Sequence, residues 1–184
     1  MNDLILEAKG KLNTVKIYCD ESAESPRDWD NLGIITAKPR NYNFNEGVEY
    51  GSAEEFKATH GDKHYLMLPI YLYDHSGICL QTTPFSCNWD SGQLGWIWAS
   101  LDSIRKCYDV KRVTKKIKAL AYKSLNDEIE LLNQYVQGNC YGYVVTDCLG
   151  AEIDSCWGFI GDIKNNGLLD NLDLDLELAV RELI

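Results

Sequence analysis

The sequence has no Cys-x-x-Cys pair, no Gly-x-Gly-x-x-Gly turn, no His-Glu-x-x-His motif and no Gly-x-Ser-x-Gly elbow. These absences argue against the familiar zinc-site, dinucleotide-binding, zinc-hydrolase and serine-hydrolase classes, whose chemistry needs those residues at those spacings. Cations are also short. Lys plus Arg is 18 against 28 for Asp plus Glu, a formal net charge of -10. A surface of that sign repels nucleic acid and anionic membranes unless a local patch reverses it, so no direct nucleic-acid or membrane partner is expected. No window approaches the roughly 18 uninterrupted apolar residues of a membrane span, and Met1 to Gly10 lacks the basic and apolar stretches of a signal peptide. The protein is therefore expected to be soluble and cytoplasmic.

What is present is an ordinary globular balance: 184 residues, 45% hydrophobic and 25% charged. The seven cysteines, Cys19, Cys79, Cys87, Cys107, Cys140, Cys148 and Cys156, are an odd count and read as reduced thiols. The regular spacing of Cys140, Cys148 and Cys156 is what a strand, a turn and a strand would produce, and no metal site or cofactor is expected.

The hydrophobic periods predict an α+β single domain over 1–184, mostly antiparallel sheet with hairpins, one long central helix and a C-terminal helix. Thr14–Cys19 alternates as a strand and runs into an acidic loop, 20–62, which contains a short strand at 33–37 and a brief helix at 52–58. A central sheet follows at 65–100. Tyr65–Tyr73 is its most hydrophobic strand, and Pro69 there demands an edge or a bulge. Asp74–Gly77 makes a turn, 77–83 returns antiparallel, and 94–100 is a third strand. A basic helical segment, 101–137, holds a short helix and then a long one capped by Thr114 and ending near Gly138. A hairpin at 141–160 and an acidic helix in 170–184 complete the chain.

Charge is uneven along the sequence. Between Asp20 and Asp62 there are ten acidic residues against Arg27, Lys38, Arg40 and Lys57. Arg105 to Lys123 instead gathers eight Lys and Arg residues. Lys115, Lys116, Lys118 and Lys123 read as a solvated helix face, or as the basic end of a head-to-tail contact between two copies, a homodimer.

Several residues could carry chemistry. Asp74, His75 and Ser76 sit at a hairpin tip, and Trp89, Asp90 and Gln93 lie in a loop about one strand away. Convergence of Asp74, His75 and Asp90 would suit a hydrolase or an oxygen-rich metal site, with Cys87 as an alternative nucleophile. Adjacent residues at one tip seldom point into one pocket, so neither catalytic residues nor metal ligands are assigned. His60 and His64 read as surface histidines, and 170–175 lacks the glycine and closing Glu of a calcium loop. Trp29-Asp30 and Trp89-Asp90 both precede a glycine and a strand. There the indole would act as a lid that rigidifies the loop, and Trp96, Trp98 and Trp157 would join the core.

Glu24–Gly33, Tyr71–Gly77 and Pro84–Gly95, with Tyr141–Tyr143 and Asp154–Phe159, resemble a family carried by phages, prophages and plasmids, largely without assigned chemistry. The resemblance covers roughly residues 15 to 160. Small acidic proteins of such elements are similar in size and charge to inhibitors of host defence, among them anti-restriction and anti-CRISPR proteins. The resemblance thus implies a non-enzymatic inhibitor in the host cytoplasm whose partner is a defence nuclease or its nucleoprotein complex, a Cas9-type enzyme first. Its carboxylates would occupy a basic channel. The expected partner-binding residues are Asp20, Glu21, Glu24, Asp28 and Asp30. The alternative is a small hydrolase or metal-dependent enzyme built on Asp74, His75 and Asp90.

Overall fold

A computed structural model describes residues 3–37, 44, 46, 55, 58, 64–87 and 89–184. The fold is α+β, with two four-stranded antiparallel sheets, a long helix and a C-terminal helix. The strands are β1 (Leu4–Lys9), β2 (Thr14–Cys19), β3 (Ile34–Ala37), β4 (Tyr65–Asp74), β5 (Ile78–Gln81), β6 (Ser91–Ser100), β7 (Cys140–Thr146) and β8 (Glu152–Ile160). The helices described are α1 (Leu101–Cys107), α2 (Lys115–Val136) and α3 (Leu174–Arg181). The helix expected at 52–58 lies almost wholly outside the described residues. No described helix is long and apolar enough to cross a membrane.

The chain divides into two compact units. The first, Met1–Ser25 with Gln134–Ile184, holds a sheet of order β1-β2-β7-β8. The second, Pro26–Asn133, holds a sheet of order β3-β6-β4-β5. Hairpin signals in the sequence identify neighbouring strands but not which hairpins share a sheet, and the structure distributes them between two.

In the first unit, alternation puts Ala8, Val15, Ile17, Tyr143 and Val145 on one face, and all are buried. The segment after β8 returns over that face with Leu168, Leu169 and Leu172, and α3 adds Leu176 and Val180. Each large apolar side chain so buried contributes about 1.5–3 kcal/mol. Strand β1 was not foreseen, since Leu-Ile-Leu-Glu-Ala-Lys is composed largely of helix-favouring residues. Antiparallel pairing with β2 overrides that preference.

In the second unit, Ile35, Leu66, Ile70, Leu72, Leu80, Ile97 and Ala99 are buried sheet residues, and Ala121, Leu125, Ile129 and Leu132 are the buried stripe of α2. A Cβ on Gly33 would meet Ile97 Cδ1 at 2.6 Å and Leu125 Cδ2 at 2.7 Å, so strand and helix close tightly there. Pro69 lies in β4, an interior strand, but β5 pairs only with Tyr71–Asp74. Among the described residues, one side of β4 at Pro69 therefore has no strand whose ladder would need its missing N–H. Thr114 caps α2 by accepting the Ile117 N–H at 3.4 Å, and Gly138 follows the helix with φ of 77°.

Candidate functional site

The acidic loop departs from the end of β2. Asp20 is only 6% exposed, and its carboxylate is fully engaged. Oδ1 accepts the Ser22 N–H and hydroxyl, both at 3.1 Å, and Oδ2 accepts the Gly158 N–H at 3.0 Å. Gly158 has φ of 87° and sits where the β7–β8 register shifts. Asp20 thus fastens the loop to the bulge of β8 and is withdrawn from the expected contact set. Glu21 and Glu24, after it, are exposed.

Asp28 and Asp30 stand on a differently built loop in the second unit. Arg27 organises it. Its guanidinium donates to Glu128 Oε2 at 2.9 Å, to Glu46 Oε2 at 2.8 Å and to the Gly33 carbonyl at 2.7 Å, with a further bond from Nε to Glu46. Glu128, on α2, also accepts the Leu32 N–H at 2.9 Å and the Gly33 N–H at 3.2 Å. Burial alone would lower the Arg27 pKa; its hydrogen bonds to the Glu46 and Glu128 carboxylates, with their charge, outweigh that and hold the guanidinium above its ordinary value. Asn31 closes the loop by donating to the carbonyls of Pro26 and Trp29, each at 2.9 Å. Asp28, Trp29 and Asp30 are left exposed, and among the described residues neither aspartate has a hydrogen-bond partner or a salt bridge. The loop is rigidified by Arg27, Asn31 and Glu128, not by its indole.

The loop candidates meet only in part. His75 Nδ1 lies 3.4 Å from Asp90 Oδ2, and the Asp74 N–H donates to the Asp90 carbonyl at 2.8 Å. His75 and Asp74 are exposed, and the Ser76 hydroxyl is spent on the His75 carbonyl at 2.7 Å. His75 and Asp90 thus form a solvent-exposed pair on the surface. Gln93 is exposed and donates to the Gly95 carbonyl at 3.4 Å. Trp89 is 96% exposed, so it cannot be the lid expected of it. None of the five tryptophans belongs to the buried core. Trp96 and Trp98 are half-buried, and Trp157 is exposed on its sheet. The reason is register: β-strand alternation places Ile97 inward and therefore its two Trp neighbours outward. All seven cysteines are free, and no three His, Cys, Asp or Glu residues gather as a metal site among the described residues. Lys115, Lys116, Lys118 and Lys123 are exposed on α2, and Lys123 pairs with Asp127.

One surface escaped the sequence reading. In the first unit, Tyr18 pairs with Gly142 in register, and the six-membered ring of Trp157 covers that glycine. A Cβ at Gly142 would fall 2.1 Å from Trp157 Cε3. Tyr18 stacks against Trp157 with centroids 6.1 Å apart, and Leu4 lies opposite Tyr18 on β1. A glycine between tyrosines in Tyr141-Gly142-Tyr143, ahead of a second strand containing a tryptophan, was the available signal.

Compared with protein-family models, with curated proteins and with solved structures, the chain matches none.

Proposed function

We propose that this chain is a non-enzymatic, acidic binding protein that inhibits a nucleic-acid-directed defence nuclease by occupying its basic surface. One observation carries the reading. The first unit has 14 acidic residues against five basic, a net charge of -9, while the second has 14 against 13, a net charge of -1. Almost the whole charge of the protein is thus concentrated on one unit, where a cationic partner would feel it as a local field. Glu21 and Glu24 extend from that unit, and Asp28 and Asp30 follow on the pinned loop of the next. The resemblance of the motifs to a family of mobile elements directs the first assay to a Cas9-type nuclease with its guide.

The test is cleavage of target DNA by that complex with this protein added, at low and at high salt. Inhibition should fall steeply as salt rises, because exposed charges are screened beyond about 8–10 Å at physiological ionic strength. Reversing Asp28 and Asp30 to Lys should weaken inhibition by about tenfold or more without unfolding the chain. Salt-insensitive inhibition that survives both reversals would sink the electrostatic reading.

A second reading, a small hydrolase or metal-dependent enzyme, has the approach of His75 to Asp90 in its favour. His75→Ala separates the two: it abolishes activity in the enzymatic reading and leaves inhibition intact in the first.

A further inference from the structure

We propose that the row Leu4, Tyr18 and Trp157 on the outer face of the first unit's sheet is an anchoring surface for an arginine-bearing segment of a partner protein. The inference rests on the proposed function and names the chemistry that unit recognises. The three residues come from adjacent or next-adjacent strands at one end of the sheet, with Gly142 as the floor between Tyr18 and Trp157. Trp157 is 42% exposed, Leu4 50% and Ile5, at the β1 bulge, 51%. Large apolar side chains gathered on one sheet face mark an interaction surface more often than isolated ones do. The opposite face of the same sheet is covered by α3 and the segment before it.

Charge decides the occupant. Asp3 is exposed beside Leu4, and its carbonyl accepts the Cys19 N–H at 2.8 Å, which places it at the same end of the sheet. Asp20 ties the opening of the acidic loop to Gly158, the residue after Trp157, and exposed Glu21 follows Asp20 directly in the chain. An aromatic ring with one face against a glycine, on a unit with a net charge of -9 and exposed carboxylates at Asp3 and Glu21, suits a planar cation. Guanidinium stacks on indole and pairs with carboxylate at the same time, whereas an ammonium offers a compact, strongly hydrated point charge. Arginine is also the side chain with which proteins commonly grip phosphates, so a nucleic-acid-binding surface offers the complement.

The test uses the full chain with two probes, an Arg-Gly repeat peptide and a Lys-Gly repeat peptide of equal length and charge. Binding is followed by calorimetry and by the indole N–H resonance of Trp157, assigned through Trp157→Phe. The arginine peptide should bind about two- to fivefold more tightly than the lysine peptide, and the Trp157 resonance should move only with the former. The double variant Glu21→Gln, Glu24→Gln, whose side chains are exposed, should weaken both peptides while the folded spectrum persists. Equal binding of the two peptides with the Trp157 resonance unmoved would overturn the proposal and leave the indole as cover for Gly142. That result leaves salt-sensitive nuclease inhibition standing, so the two readings fail separately. Dimerisation of the chain alone, relieved by Trp157→Ser, would also overturn it, since a second copy would then cover the row.

Discussion

The two units share a plan and differ in how they treat charge. Each is a four-stranded antiparallel sheet with helical cover on one face. The second nearly balances its acids and bases and turns several inward or onto one another, as in Arg27 with Glu46 and Glu128 or Lys123 with Asp127. The first has few cations to spend. Its ion pairs among the described residues, Lys11 with Asp175, Lys16 with Glu7 and Arg181 with Glu177, each include at least one exposed side chain. Exposed pairs contribute only about 0–1 kcal/mol each, so charge in the first unit serves the surrounding field more than the fold. In the second, a charged cluster is structural.

The largest test of that contrast is Glu128→Ala. It removes the acceptor of two backbone N–H groups and leaves partly buried Arg27 with less compensation, which should cost about 3–5 kcal/mol. Denaturant titration followed by the indole resonances should show Trp96 and Trp98 lost before Trp157. Simultaneous loss would mean that the units unfold as one and would break the comparison.

Next is Gly142→Ala, whose Cβ would overlap the Trp157 ring. Moving the ring should cost about 1–3 kcal/mol and alter the near-ultraviolet circular dichroism of the Tyr18–Trp157 pair. Asp20→Ala tests the first unit's single buried carboxylate. Leaving the Gly158 and Ser22 N–H groups unpaired should cost about 1–3 kcal/mol, unlike Glu21→Ala, which should stay within about 0.5 kcal/mol.

Alkaline pH sharpens the comparison further. Burial, and then the 2.9 Å hydrogen bond to Asp154, push the Tyr143 hydroxyl up to about 12 from an ordinary value of 10.0. Above pH 10 the unfolded chain has given up this proton while the folded one keeps it. The contribution is therefore full below 10 and is lost as pH rises through about 12. Tyr143→Phe should flatten that part of the stability profile, measured by urea midpoints across the range. The smallest effect is expected from Asp28→Lys with Asp30→Lys, which should change stability by no more than about 0.5 kcal/mol per site while changing partner binding.

Local pattern made much of this legible. Alternation located Thr14–Cys19, β-branched and aromatic runs located β4 and β6, and Thr114 and Gly138 bracketed α2 nearly to the residue. The candidate site was legible only as residue types. Asp20, Asp28 and Asp30 look alike in sequence, yet the first is a buried staple and the others stand free of the network that Arg27 builds. That network joins Arg27 to Glu128, 101 residues away. Trp89 and Trp157 likewise share a residue type, but only Trp157 finds a glycine opposite.

The sequence by itself determined most of the strands and helices, though not β1, that the protein is strongly acidic, and that its helix lysines line an exposed face. These follow from period, capping and composition, all local properties. Only the tertiary structure decided that the hairpins fall into two sheets, that the charge belongs almost entirely to one unit, and which carboxylate is buried. Those outcomes depend on pairings between residues far apart in the chain, and no local pattern specifies which distant partner a strand edge, a glycine or a carboxylate will meet.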